Sequence, residues 1–271
     1  MPTQPEPLPT GLSARAAQET LDLLVGDWRI YQLRRGHRFS SDDLLTAWTA
    51  LRAHPDARRL LDLGSGIGSV GLTTLWHLAP GATLRSVEAQ ALSWGLAQRS
   101  VAHNGLQDRV TLVHGDLRDP EAVPGTHAHD LITGSPPYIP LGKGVVSPHP
   151  QRAGARMELR GSVFDYAAAA ARSLERDERS RFCFCHMATD PRPEQALRAA
   201  GLTLLARQEV RFRDGKAPLI ALFTSGWEGE RTDPPDLVIR RADGRWSETY
   251  LGLRRDLGAP EWADPQPASQ M

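Results

Sequence analysis

Leu60-Leu61-Asp62-Leu63-Gly64-Ser65-Gly66-Ile67-Gly68 opens on a short, mostly apolar run and closes on three alternating glycines. Such a run has the composition of a buried parallel strand. Glycines directly after it let the backbone turn tightly and approach a ligand, with a helix N-terminus behind them. No Gly-Lys-Ser/Thr follows, so the turn is not a phosphate loop, and the glycine spacing is not that of a dinucleotide fingerprint. The next apolar stretch ends in Glu88, 20 residues after Gly68, where a carboxylate can accept both hydrogen bonds of a ribose diol. The stretch after that ends in Gly115-Asp116, where a second carboxylate can receive an adenine amino group. A glycine turn alone is a common strand ending. Joined to acids at two successive strand ends, it describes a nucleoside pocket without a phosphate anchor.

Outward from this turn the pattern alternates. Strands are expected at residues 59–63, 83–88, 110–114, 130–133, 181–187, 203–212 and 219–224, and helices at 70–78, 92–102, 164–174 and 194–200. Alternation of this kind predicts an α/β fold: a doubly wound, mostly parallel seven-stranded sheet, with the closing strand pair giving an antiparallel edge. Residues 1–11, rich in proline, are expected to be disordered. Residues 12–57 form a lead-in, with Ser13 capping a helix at 14–24, a strand at 28–33 and a helix at 42–51. Residues 58–225 make the main domain. Residues 226–271 break the rhythm with Pro234-Pro235, Trp227, Trp246 and Trp262, a hairpin around Ala242-Asp243-Gly244, and a disordered last ten or so residues.

Composition excludes several classes. Among 271 residues, 32 cations balance 32 anions, so the chain is no polycation, although a local basic patch fits within a neutral total. All the cations but Lys143 and Lys216 are arginine. Cys183 and Cys185, two apart in a strand, share one face and read as small buried hydrophobes rather than a disulfide or a zinc site. No apolar stretch is long enough to span a membrane and the first ten residues lack the pattern of a secretory signal, so a cytoplasmic monomer without metal is expected.

The second chemical signal is Gly134-Ser135-Pro136-Pro137-Tyr138, directly after the fourth expected strand. Two prolines fix the direction of the carbonyls, and a rigid carbonyl plus one polar side chain can hold an amino group in line with an electrophilic methyl. Tyr138 can stack on the flat group that carries the amine. Alone this reads as an ordinary proline loop; beside a nucleoside pocket it reads as a catalytic turn made of Ser135, Pro136, Pro137 and Tyr138. Beyond it, residues 139–160 carry Lys143, Arg152, Arg156 and Arg160 against Glu158, a basic loop suited to guiding phosphates or, equally, a mobile solvated loop. Arg34, Arg35, His37 and Arg38 form a second basic cluster. His114 and His186 read as structural.

The Asp-Leu-Gly-Ser-Gly-Ile-Gly turn, the acid ending the second strand and the Pro-Pro-Tyr turn together resemble class I methyltransferases that use S-adenosylmethionine. Ile30-Tyr31-Gln32, the stretch Gly36-His37-Arg38-Phe39-Ser40-Ser41-Asp42-Asp43-Leu44-Leu45, and Pro150-Gln151-Arg152-Ala153-Gly154-Ala155-Arg156-Met157-Glu158 narrow this. They are similar to the bacterial tRNA adenine-N6 methyltransferases of the valine-tRNA type. The similarity runs over most of the chain, from about residue 21 to 225.

This resemblance implies a methyltransferase domain at 58–225, S-adenosylmethionine as cofactor and tRNA as partner. It implies methyl transfer to an exocyclic amine, foremost adenine N6. The cofactor would be held by Asp42, Asp62, Gly64, Gly66, Glu88 and Asp116, and the RNA by Lys143, Arg152 and Arg156. Asp42 would close the methionine end, a role compatible with a helix N-cap. One position departs from the family's Asn-Pro-Pro-Tyr: Ser135 offers a single rotatable hydroxyl where asparagine offers one acceptor and two donors. Amino methyltransferases of cytosine N4 also carry Ser-Pro-Pro-Tyr, so an exocyclic amine acceptor is retained. A protein glutamine acceptor and a non-catalytic cofactor-binding relative are the alternative readings.

Overall fold

The computed structural model describes residues 18–260 except 126, 141, 144 and 145. The expected disordered ends, Ser13 and Trp262 lie outside the described residues. In chain order the elements are β1 (Glu19–Val25), β2 (Trp28–Leu33), α1 (Ser41–Ala53), β3 (Arg59–Leu63), α2 (Ser69–His77), β4 (Thr83–Glu88), α3 (Ala91–His103), β5 (Val110–His114) and β6 (Leu131–Gly134). They continue with α4 (Pro150–Arg156), α5 (Val163–Ser173), β7 (Arg181–Met187), α6 (Arg192–Ala199), β8 (Thr203–Arg211), β9 (Ile220–Gly226), β10 (Leu237–Val238) and α7 (Glu248–Asp256).

The main sheet has eight strands in the order β10-β8-β9-β7-β6-β3-β4-β5. All seven expected strands are present, and β10 adds an eighth, parallel to β8. The closing pair is antiparallel as expected; β9, the strand of opposite sense, sits between β7 and β8 rather than on the outer edge. From β3 the chain steps to β4 and β5 on one side, then returns to β6 and β7 on the other. That reversal opens a crevice at the carboxyl ends of β3 and β6.

Burial on both faces explains the apolar strands. Leu60, Leu84, Leu131 and Cys183 pack with α2 on one face, while Leu61, Leu63, Ile132, Phe182 and Phe184 pack with α5 and α6 on the other. A third cluster joins Leu44 and Leu45 of α1 to Cys185, Leu222, Tyr250, Leu253 and Leu257, so α7 closes the main domain against α1.

The lead-in differs from expectation. Of the expected helix at 14–24, Gln18 is helical and residues 19–24 are strand: β1 pairs antiparallel with β2, Leu21 opposite Tyr31 and Leu23 opposite Arg29. Thr20, Leu21, Asp22 and Leu23 alternate polar and apolar, and Gly26, at φ 53°, turns the chain directly into β2. Tertiary pairing outweighs a helical reading here. Asp22 accepts from Gln32 Nε2 at 2.7 Å and from Arg38 at 2.9 Å, which ties the hairpin to the segment leading into α1. In the C-terminal part the expected turn at 242–244 is present, closed by Arg241 N–H donating to the Arg245 carbonyl at 2.8 Å. Among the described residues no helix is long and apolar enough to cross a membrane.

Candidate active site

The glycine turn after β3 adopts left-handed backbone at Gly64 (φ 59°), Gly66 (58°) and Gly68 (92°). The first two do different work. A Cβ on Gly64 would lie 1.9 Å from Tyr166 Oη, whereas a Cβ on Gly66 would meet nothing within 4 Å. Gly64 makes room for a packed tyrosine; Gly66 faces open space. Glu88, at the end of β4, holds this turn: its carboxylate accepts Gly66 N–H at 2.8 Å and Gln90 N–H at 2.6 Å. Burial raises the Glu88 carboxyl above the usual range.

Asp62 is buried under the turn, accepting Gly71 N–H at 3.0 Å and the Thr133 hydroxyl at 2.8 Å. Burial pushes its pKa up to about 7. Both oxygens are taken, so Asp62 fastens β3 to α2 and β6. Asp116 departs from the pattern expected of it. Its carboxylate is engaged by the Arg118 guanidinium at 2.6 Å, which holds it below the usual range, and the cavity wall there is formed by Gly115 and Leu117.

The crevice is a cavity of about 930 Å³ that runs from Gly66 and Glu88 past Ser135, Pro136, Pro137 and Tyr138 to Phe212 and Leu219. The Ser-Pro-Pro-Tyr turn follows β6 into this space. Tyr138 Oη donates to Asp42 Oδ2 at 3.3 Å and lies 3.0 Å from Cys185 Sγ, and its ring meets His186 edge-on at 5.1 Å. Burial raises the Tyr138 hydroxyl well above the usual tyrosine value. Asp42 and Asp43 begin α1, where Asp43 accepts Ser40 N–H at 2.8 Å as one half of a capping box. Burial raises both carboxyls to about 6, and the neighbouring Asp43 adds to the rise at Asp42. Asp42, Asp43, Asp62 and Glu88 all line this cavity, and no cationic side chain among the described residues is bonded to any of them, an arrangement suited to a ligand that brings positive charge.

Residues 150–156 of the basic loop form α4, in which buried Gln151 donates to Ser93 Oγ at 3.1 Å while accepting His37 N–H at 3.0 Å. Arg152 Nε donates to the Gly36 carbonyl at 3.0 Å. Arg152, Arg156 and Arg160 border the cavity; Lys143 does not. His114 stacks on Trp94 at 5.2 Å, and buried His186 lies 3.7 Å from Asp190, so neither lines the cavity. Sequence reasoning missed Tyr166, which lines the cavity, and gave Gln151 no role of its own. Among the described residues no group of three or more His, Cys, Asp or Glu could hold a metal ion.

Residues 39–147 match the Methyltransferase small domain family. The tRNA1(Val) (adenine(37)-N6)-methyltransferase of Pasteurella multocida is 27% identical over 214 residues, 79% of this chain and 86% of that protein. The protein of the same name from Salmonella enteritidis PT4 is 30% identical over 212 residues, 78% of this chain and 83% of its own. Among solved structures, a predicted O-methyltransferase from Agrobacterium tumefaciens superposes with a TM-score of 0.55 at 17% identity, covering 81% of this chain and 98% of that one. P. horikoshii TYW2, solved in complex with MeSAdo, gives 0.51 at 16% identity, covering 77% of this chain and 70% of that one. These two likenesses report the fold. The glycine turn, the acid closing β4, the Ser-Pro-Pro-Tyr turn and the sequence matches converge: the chain is a methyltransferase and belongs to the family that includes the tRNA1(Val) (adenine(37)-N6)-methyltransferases.

Proposed function

We propose that the chain transfers the methyl group of S-adenosylmethionine to the exocyclic N6 of an adenine in a tRNA. One observation carries this reading: the Gly66–Glu88 turn and the Ser135–Tyr138 turn open onto the same cavity, bordered by Arg152 and Arg156. The residues fit the cofactor. Open space in front of Gly66 admits a ligand against the backbone, and the acid-lined wall suits a cationic group. Glu88 keeps lone pairs for a ribose diol, and Asp42 stands where it can meet an ammonium group. When bound, the cofactor supplies a methyl already activated on a sulfonium. The protein's own task is alignment. Ser135 Oγ and the Pro136 carbonyl accept the hydrogens of the incoming amine, Tyr138 stacks on its base, and Arg152 and Arg156 take phosphates. The names of the relatives support adenine and tRNA.

Single-turnover transfer of labelled methyl to total tRNA from a strain lacking the gene tests this reading, with N6-methyladenosine as the expected product. Cofactor binding without transfer to any tRNA would reject it in favour of a protein acceptor or a non-catalytic role. Arg152→Ala together with Arg156→Ala should weaken tRNA binding and reduce the slope of log affinity against log salt by about 0.7–0.9 for each phosphate no longer neutralised, with cofactor affinity unchanged. Parent-like behaviour of this variant across a salt series would remove the rim from the RNA interface.

A pH effect follows from Asp42 and Asp43. Both carboxyls sit near 6 in the ligand-free protein, so below that pH they are protonated and neutral. A cationic ligand favours the ionised forms, so binding should release protons and tighten as pH rises through about 6. Calorimetry should show affinity at least about fivefold weaker at pH 5 than at pH 7.5. Equal affinity at both would separate these acids from the cofactor.

A further inference from the structure

β8 runs antiparallel to β9, β9 antiparallel to β7, and β7 parallel to β6, so β8 points the same way as β6. β10 is parallel to β8. The carboxyl ends of β8 and β10 therefore lie on the crevice edge of the sheet, and so do the two segments that leave them. Both segments are basic. Residues 211–216 carry three cations and one acid, and residues 240–245 carry three more cations and one acid.

The two segments form one ordered surface. Asp214 N–H donates to the Arg240 carbonyl at 2.8 Å. A Cβ on Gly244 would come to 2.7 Å from Arg213 Nη2, so the Arg213 guanidinium rests on this glycine. Arg211 Nη1 donates to the Lys216 carbonyl at 2.7 Å, and the Arg240 guanidinium stands 3.6 Å from the centre of the Trp246 ring. Backbone held in place beforehand lowers the ordering cost of binding. Two of the cations are spent on carboxylates, Arg211 on Asp236 at 2.8 Å and Arg241 on Asp243 at 3.5 Å. Arg213, Lys216 and Arg245 are exposed and pair with no carboxylate among the described residues.

This surface continues into the cavity. Phe212 and Leu219, which flank the β8–β9 loop, border it, and Leu219 is 53% exposed. β8 stands three strands from β6, about 14 Å at about 4.8 Å per strand. Arg152 and Arg156 stand on the other side of β6. Their helix, α4, is fixed by Gln151 donating to Ser93 and lies close enough to Gln90 that a Cβ on Gly154 would come to 2.8 Å from it; both partners follow β4. The Ser135–Tyr138 turn after β6 thus lies between two sets of cations on one edge. Unpaired, exposed cations on both sides of a base-sized opening suit a polyanionic strand that crosses it.

We propose that the β8–β9 loop and the turn after β10 form a second RNA contact, in which Arg213, Lys216 and Arg245 take phosphates flanking the target nucleotide on the side away from Arg152 and Arg156. The inference rests on RNA being the substrate, as proposed above.

Binding of total tRNA from a strain lacking the gene, followed across a salt series, tests it. Arg213→Ala, Lys216→Ala and Arg245→Ala combined should weaken binding at least about tenfold at moderate salt. They should also reduce the slope of log affinity against log salt by about 2–3, at about 0.7–0.9 for each phosphate. Melting temperature and S-adenosylmethionine affinity should stay with the parent. Arg58, Arg179 and Arg198 are exposed at the opposite edge of the sheet, and their combined change to Ala removes the same charge. That variant should lose less than about twofold. Added to Arg152→Ala and Arg156→Ala, the new substitutions should give additive losses, because the two sets hold different phosphates. A parent-like slope in the Arg213, Lys216 and Arg245 variant would overturn the proposal while leaving the acceptor reading in place. An equal loss in the opposite-edge variant would overturn it too, since net charge alone would then explain the effect. Unchanged tRNA binding with lost binding to poly-glutamate would reassign the surface to an acidic protein. Methyl transfer to no tRNA, with the slope still reduced, would defeat the acceptor reading and leave the second contact standing; a parent that binds no tRNA would overturn both.

Discussion

Glu88→Ala is expected to lower the affinity for S-adenosylmethionine at least about a hundredfold, read by calorimetry and by loss of the ligand-induced rise in melting temperature. The carboxylate does two things at once. It fixes the turn by accepting Gly66 N–H and Gln90 N–H, and it presents the charged acceptor proposed for the ribose diol. Hydrogen bonds to a charged group contribute about 1.5–3 kcal/mol each. Losing two such contributions amounts to about 3 kcal/mol or more, and each 1.4 kcal/mol is about tenfold in affinity. Glu88→Gln keeps one acceptor and the side-chain volume, so it should fall between the parent and the alanine variant. Unchanged affinity in Glu88→Ala would mean that the nucleoside binds elsewhere.

Gly64→Ala and Gly66→Ala should part company, although the two glycines share nearly the same backbone angle. Left-handed backbone costs a side-chain-bearing residue about 1–2 kcal/mol at either position. At Gly64 the new methyl also runs into the Tyr166 hydroxyl, and Tyr166 is itself packed among α5 and Gly134. Overpacking of this kind adds about 1–3 kcal/mol, so Gly64→Ala should destabilise the protein by about 2–5 kcal/mol. For a domain of this size that lowers the melting temperature by about 5–15 °C. Gly66→Ala should cost only the backbone strain, yet it fills the space proposed for the cofactor. The expected pattern is a large stability loss for Gly64→Ala, and a small stability loss with a large affinity loss for Gly66→Ala. The reverse pattern would exchange the roles assigned to the two positions.

What was legible in the sequence is what is encoded locally. The apolar run before Gly64, the acid closing β4 and the two prolines after β6 each announce themselves within a few residues, and the order of strands places them on one edge. Pairings between distant segments were less legible. β1 reads as helix until Gly26 is taken as a hairpin turn that sets Leu21 against Tyr31. Asp116 looked like a ligand because of its strand end, but Arg118, two residues on, captures it. Lys143 and Arg152 share one basic loop, and only α4, anchored through Gln151, separates a cavity-bordering arginine from a lysine off the cavity. Tyr166 carried a faint signal, a single large side chain at the start of an alanine-rich helix, facing glycines that leave it room. α7 carried a clearer one: Ser247 caps it by accepting Tyr250 N–H at 3.1 Å, and Tyr250, Leu253 and Leu257 follow at helical spacing.

The acidic cavity wall has an energetic corollary. Burial makes the four carboxyls along the cavity costly to ionise and raises each of them, and neighbouring acids add to the rise at Asp42 and Asp62. A ligand that carries positive charge would lower that cost, and a product that had lost its sulfonium but kept its ammonium group would lower it less. The acids proposed to help retain the cofactor would therefore have less hold on the demethylated product.

Tyr250 Oη donates to Ser41 Oγ at 2.9 Å, and residues 237–257 supply both the eighth strand and the helix that backs α1. The timing of assembly during translation follows from that pairing. The glycine turn and β4 lie in the first half of the chain, but part of the support for the first turn of α1, which carries Asp42, comes from a segment made some two hundred residues later. A nascent chain would thus own the glycine turn and the acid closing β4 well before the wall that carries Asp42 was fully backed.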